Sequence, residues 1–432
     1  MNRTMKDSGI PWIGEIPEGW RQSRMKNYFH LHGRIGWKGL RSEEFEEQSY
    51  AYLVTGQDFC SKNIDWNKCY QINKERYDED EYIQLVEGDI LVTKDGTIGK
   101  IAVVSNLDKP ACLNSGIFVV KQYDPKQFNP GYLYWLLVSP LLKTFNEFLN
   151  LGGTTIIHLY QNVFERMPIV APPLAEQHLI ATFLDKKCSE IDSLIELQEQ
   201  MIEELKAYKQ SVITEAVTKG LNPNVPMKDS GIPWIGEIPE GWKVCFIKQI
   251  MRNKSIKGYP CETVLSLYRD YGVVPKDSRS DNHNVTSEDT SSYKFVEVGD
   301  FVINKMKAWQ GSMAVSNYQG IISPAYYICR FTTDSVDREY VHYLLRNETY
   351  KVEYMRLSSG LRIGQWDLNI DDFLRVKMVL PSLAEQQAIA DYLDRKCGEI
   401  DELITIKQQK IESLKEYKKS VIYEYVTGKR EV

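Results

Sequence analysis

The sequence predicts a mixed α/β protein built twice over. Two tandem α+β domains are each followed by a long helix, and the helices pair as an antiparallel coiled coil with pseudo-twofold symmetry. Three observations carry this expectation. The string MKDSGIPWIGEIPEGW occupies residues 5–20 and recurs letter for letter at 227–242. LAEQHLIATFLDKKCSEID, beginning at Leu174, returns as LAEQQAIADYLDRKCGEID from Leu383. After each copy of that second string, apolar residues continue at seven-residue spacing. An identical 16-residue string does not arise twice by chance, so an internal duplication organises the whole chain. The shared ends divide it into a first domain (1–171), a central helix (172–220), a second domain (221–380) and a C-terminal helix (381–432).

Within the domains the two copies diverge but keep one order of elements. EGDILVTKDGTIGKIAVVS at 87–105 alternates apolar residues on both sides of a Gly-containing turn, which predicts a β-hairpin. VGDFVINKMKAWQGSMAVS at 298–316 is its counterpart, with Gly88–Asp89 matching Gly299–Asp300. A short helix follows in each copy, Tyr132 to Leu137 and Tyr340 to Leu345. A Gly-containing loop comes next, LGGTTIIHL or SSGLRIGQWDL.

The long helices are predicted from their heptads. Leu184, Ile191, Gln198, Leu205 and Val212 recur every seven residues, as do Leu393, Ile400, Lys407, Leu414 and Val421. Leu194, Ile195, Met201, Ile202, Leu403, Ile404 and Ile411 widen the stripe. Ser382 with Glu385 reads as a capping box, and Gly220 and Gly428 read as C-terminal stops. Leu174 to Val217 would make about 66 Å of helix at roughly 1.5 Å per residue. Neither stripe can bury itself alone, so mutual pairing is expected, the alternative being each stripe docked on its own domain. Gln198 and Lys407 at matching seam positions would set register.

Composition narrows the class. Hydrophobic residues at 43% and charged residues at 26% describe a globular chain, and no apolar run approaches the roughly 18 residues of a membrane span. The N-terminus has no apolar stretch of the kind a secretory signal needs. Eight cysteines without a CxxC pair, apart from the six histidines, argue against a zinc ribbon and a disulfide scaffold. Reduced thiols and a cytoplasmic location are expected.

The net charge of −6 hides a local pattern. Trp20 to Ser42 carries six cations and no acid, and Trp242 to Cys261 carries five and no acid. Basic patches bind phosphate whatever the overall charge. The candidates for nucleic-acid contact are therefore Arg34, Lys38 and Arg41 in the first patch and Lys254 and Lys257 in the second. Lys94 and Lys100 mark one hairpin, and Lys305, Lys307, Trp309 and Gln310 the other. Thr154, Thr155, Arg362 and Gln365 lie in the glycine loops. Each of these also fits an ordinary solvated turn.

Catalytic patterns are missing. GTIGK at 96–100 is too short for a phosphate loop, and there is no GxGxxG, Gly-x-Ser-x-Gly or His-Glu-x-x-His. No metal site is expected.

The chain resembles the specificity subunits of type I restriction–modification systems. SGIPWIGEIPEGW resembles the opening box of that family's recognition domains. LAEQ…LD…EID, followed by the LK-YK-S-I-E-VT-G pattern (Leu205 to Gly220; Leu414 to Gly428), resembles its helical regions. The resemblance implies that two variable domains each read half of a split double-stranded DNA target. It implies that the helices act as a ruler and dock two modification (methyltransferase) subunits. S-adenosylmethionine would sit on those partners, ATP and Mg on a restriction subunit that joins them, and no cofactor on this chain. Unlike domains would make the target asymmetric. Two other classes stay open at this stage: an adaptor joining two proteins without DNA, and a methyltransferase or nuclease with an unrecognised site.

Overall fold

A computed structural model describes residues 3–34, 40–124, 126–149, 159–259, 261–269, 271–279, 286–287, 289–360 and 366–432. The chain forms two compact units, residues 1–198 with 409–432, and residues 199–408. These are drawn differently from the four sequence segments, because each unit takes part of both long helices.

In the first unit the duplicated box is a small antiparallel ladder, with Met5–Asp7 paired to Glu15–Pro17. Ile10, Ile13, Ile16 and Trp20 of the box are buried, which is why this short segment can hold a fixed shape. A four-stranded antiparallel sheet follows, in the order Ile101–Val103, Ile90–Thr93, Ile117–Gln122, Phe29–His32. The expected hairpin is its first pair, with Ile101 opposite Val92. Both faces of the sheet are covered, so alternate residues enter different cores. Ile90, Val92, Phe118 and Val120 join one cluster, while Leu91, Ile117 and Val119 join another. The second cluster is roofed by a sheet in which Ala111–Leu113 runs parallel to Ala51–Val54.

The Gly-Asp pair before the hairpin is a turn lock. Gly88 has φ +86°, and the Asp89 carboxylate accepts from the Val86 amide (2.9 Å) and from Lys121 Nζ (2.9 Å). The short helix is Pro130–Val138, capped by the Asn129 side chain accepting from the Tyr132 amide.

The second unit repeats this plan. Its four-stranded sheet runs Met251–Lys254, Tyr326–Phe331, Phe301–Asn304, Met313–Val315, again antiparallel throughout. Phe301, Ile303 and Cys329 face one cluster, and Val302, Ala314 and Ile328 the other. Asp300 locks the turn by accepting from the Glu297 amide (2.7 Å) and pairing with Lys254. The short helix Arg338–Arg346 is capped by Asp337. The hairpin tip departs from expectation. Residues 305–310 wind into a 3-10 helix, opened by Asn304 accepting from the Met306 amide and closed by Gly311 at φ +78°.

The helices Leu174–Lys219 and Leu383–Val426 are continuous, 46 and 44 residues long. They run antiparallel where they meet in each unit. In the first unit Asp192 meets Lys418 at 2.6 Å, and in the second Lys209 meets Asp401 at 2.7 Å. Burial holds them rather than these exposed pairs. Leu184, Ile191, Val212, Leu393, Ile400, Leu414 and Val421 are buried and Leu205, Gln198 and Lys407 half-buried. Two of the flanking residues do not join the seam. Leu194 and Leu403 are 48% and 47% exposed, because they turn to the side of the helix away from Ile195 and Ile404. The capping box is half as expected. Ser382 Oγ accepts from the Glu385 amide (3.3 Å), but the Glu385 carboxylate accepts from the Trp242 indole N–H (3.0 Å).

Candidate nucleic-acid interface and helix faces

The duplicated strings touch each other inside each unit. Trp20 donates to Glu176 of the first LAEQ string at 3.0 Å, as Trp242 does to Glu385 of the second. The adjacent glutamines hold the chain before the short helices: Gln177 accepts from the Asn129 amide and Gln386 from the Asp337 amide, both at 2.8 Å. The short helix in turn grips the end of a long one. Tyr132 Oη lies 3.1 Å from the Val170 carbonyl and 2.9 Å from that of Val426. Tyr340 Oη stands 3.1 Å from the Val379 carbonyl and 3.4 Å from that of Val217. Full burial pushes both phenols well above the ordinary tyrosine range, so each stays a neutral donor.

Against this shared frame the divergent tips differ. In the second unit the 3-10 turn carries Trp309, whose ring centroid is 5.2 Å from that of Trp366, and the exposed Lys307 and Met306. Lys305 lies 4.6 Å over the Tyr327 ring. Beside it sits Lys294, a residue the sequence reading missed, donating to the Tyr326 carbonyl at 2.6 Å. Its amine is held below the usual lysine range by burial and then by the neighbouring charges of Lys305 and Lys257. Arg279 stacks 3.9 Å over Tyr271 on the neighbouring hairpin, and Arg269 donates to the Gln310 side chain.

The first unit's tip is less aromatic. Lys94 is half-buried, 5.2 Å over Phe118, and Lys100 is exposed, its amide donating to Thr93 Oγ1 at 2.9 Å. His30 and His32 project from the same sheet, their ring nitrogens 3.3 Å apart, with His32 stacked on Tyr82 at 5.0 Å. Burial, followed for His30 by the charge of His32, lowers the pKa of both.

The remaining candidates fall out unevenly. Arg34 is buried, donating to the Leu113 carbonyl at 3.0 Å, so its guanidinium serves the fold. Lys254 is held by Glu297 (2.6 Å) and Asp300. Arg41 and Lys257 are exposed. Lys38, Thr154, Thr155, Arg362 and Gln365 lie outside the described residues. Among the described residues no group of three metal-ligating side chains occurs, and no helix is long and apolar enough to cross a membrane.

A family model described as the type I restriction modification DNA specificity domain matches residues 17–207 and 239–428. The chain belongs to the type I specificity-subunit family. It is 28% identical over 431 residues to the MjaVIII specificity subunit of Methanocaldococcus jannaschii, covering 96% of this chain and 93% of that one. It is 21% identical over 402 residues to the StySPI specificity subunit of Salmonella potsdam, covering 92% and 85%. Among solved structures it resembles a chain of a type I restriction–modification assembly (TM-score 0.70, 16% identity, 96% and 99% covered). It also resembles the HsdS subunit of Thermoanaerobacter tengcongensis (TM-score 0.55, 18% identity, 96% and 98% covered).

Specificity subunits supply recognition and no catalysis, and this one carries two recognition domains. The specificity subunit also bears an apolar stripe off the helix seam. Leu194, Leu197 and Tyr417 lie in the first unit, and Leu403, Ile406 and Tyr208 in the second, each between 46% and 52% exposed. Shifting the central-helix positions by the repeat offset of 209 gives those of the C-terminal helix.

Proposed function

We propose that each recognition domain reads one half of a split, asymmetric double-stranded DNA target. The exposed helix stripe holds two methyltransferase subunits, through which a restriction subunit joins. One observation carries the reading: the helix stripe is apolar at matching positions in both copies, whereas the hairpin tips differ. Leu194, Leu197 and Tyr208 match Leu403, Ile406 and Tyr417, which suits two copies of one partner. Lys94 matches Lys305 in the Gly-Asp register, but Thr97, Ile98 and Gly99 at one tip stand where Ala308, Trp309 and Gln310 stand at the other, which suits two different half-sites. S-adenosylmethionine belongs to the methyltransferases, and ATP with Mg to the restriction subunit.

The test is reconstitution with an adenine methyltransferase partner. DNA affinity should fall steeply as salt rises, since lysines at the tips displace counterions. The quadruple variant L194D/L197D/L403D/I406D should lose the partner and methyl transfer while still binding DNA. Partner binding without salt-sensitive DNA binding would instead establish the adaptor reading.

A further inference from the structure

The second recognition domain carries a side-chain pair whose chemistry restricts the base it can read. Gln310 closes the 3-10 helix Lys305–Gln310, beside the Trp309–Trp366 ring pair and the exposed Lys307. Its backbone is held by the turn that follows: the Gly311 amide donates to the Ala308 carbonyl at 2.7 Å. Arg269, exposed at the end of strand Leu265–Tyr268, places Nη2 against Gln310 Oε1. Arg269 is itself positioned from behind, because Arg346 donates to its backbone carbonyl. Arg346 also lies against Nε2 of His342, whose Nδ1 accepts from the Val315 amide.

A guanidinium has donors only. The amide atom facing Arg269 must therefore be the oxygen, and chemistry settles the rotation of the Gln310 amide. With Oε1 on Arg269, the half-exposed Gln310 has its –NH₂ to give, alongside the exposed guanidinium of Arg269. The pair is rich in donors, and its one acceptor, Oε1, is already engaged by Arg269.

We infer that Arg269 and Gln310 together read a guanine in the major groove of the second half-site, an inference that rests on the DNA-reading function proposed above. Guanine alone shows two acceptors, N7 and O6, on its major-groove edge. A glutamine with both amide atoms available grips adenine, giving to N7 and taking from N6. Here Oε1 is turned to Arg269, so the adenine N6–H competes with a guanidinium for it, whereas guanine accepts from both side chains. Cytosine shows a donor and thymine a single acceptor with a methyl group, so both are matched worse.

The experiment uses the full chain reconstituted with its methyltransferase subunits, with methylated adenines mapped on a library of DNA sites. The wild-type complex should require one guanine at a fixed position in the half-site of residues 221–380. R269A releases the amide to rotate and should admit adenine at that position. Q310A and Q310E, which removes the donors but keeps the shape, should each lower discrimination there by roughly 5- to 150-fold. The other half-site should keep its full strictness in all three variants. Unchanged strictness in R269A and Q310E would overturn the inference, as would relaxation at a position other than guanine. Loss of methylation at every site by all three variants would overturn it too, since the pair would then be supporting the fold. A wild-type complex that methylates no split site would instead refute the proposed function, which separates the two failures.

Discussion

Both long helices end on a left-handed glycine, yet alanine at the two positions should have unequal cost. Gly220 has φ +77° and Gly428 φ +70°, so a Cβ costs about 1–2 kcal/mol at either through backbone strain alone. The surroundings then separate them. At Gly220 the added carbon would stand 3.2 Å from Glu385 Oε1 and 3.3 Å from Trp242 Cζ2, which a shift of a few tenths of an ångström relieves. At Gly428 it would stand 2.4 Å and 2.6 Å from the Pro17 ring and 3.1 Å from Trp20. A proline ring and a fully buried indole cannot swing aside, so overpacking adds about 1–3 kcal/mol. Native-state hydrogen exchange on the full chain reads each box separately. G428A should strip protection from the ladder of Met5–Asp7 with Glu15–Pro17, and G220A should weaken the ladder of Met227–Asp229 with Glu237–Pro239 by less. Equal losses, or loss in the other box, would refute the assignment of each helix end to its box.

The fragment 1–220 should self-associate. The first unit's core uses Val421, Ile422 and Val426, whose counterparts Val212, Ile213 and Val217 lie in the fragment itself. Sedimentation showing only monomer at micromolar concentration would count against this. K418A should lower stability by less than about 1 kcal/mol, because Asp192 and Lys418 form a solvent-exposed pair. A larger loss in urea unfolding would show that the pair is coupled to the seam. His342 is pushed down to about 3 by burial and then by Arg346. The unfolded chain therefore binds a proton that the folded one does not between pH ~6.5 and about 3, and stability falls as pH falls through that window. H342Q should remove up to about 1.4 kcal/mol per pH unit of that slope, read from urea midpoints at pH 4 to 7.

What was legible in the sequence was whatever repeats locally. The hairpins, the helix stops at Gly220 and Gly428, and the buried heptad leucines all follow from spacing over a few residues. The closure of the first unit was not legible, because Tyr132 and Val426 are 294 residues apart and no local period links them. The heptad also could not separate Leu194 and Leu403 from the seam, since three- and four-residue steps fall on either side of the same stripe. At the candidate interface, charge counting marked Arg34 and Lys254 without showing the carbonyl of Leu113 or the carboxylate of Asp300 that engage them. Lys294 and Arg269 escaped notice because their partners, Tyr326 and Gln310, are distant in the sequence.

The central claim is that two separate domains read two separate half-sites. It is tested most directly by exchanging residues 243–371 for the matching segment of a related specificity subunit and mapping methylated adenines in the reconstituted complex. The expected result is a split target in which one half changes and the other half and its methylated adenine stay as they were. A target altered in both halves would contradict it, because recognition would then be a joint property of the two domains.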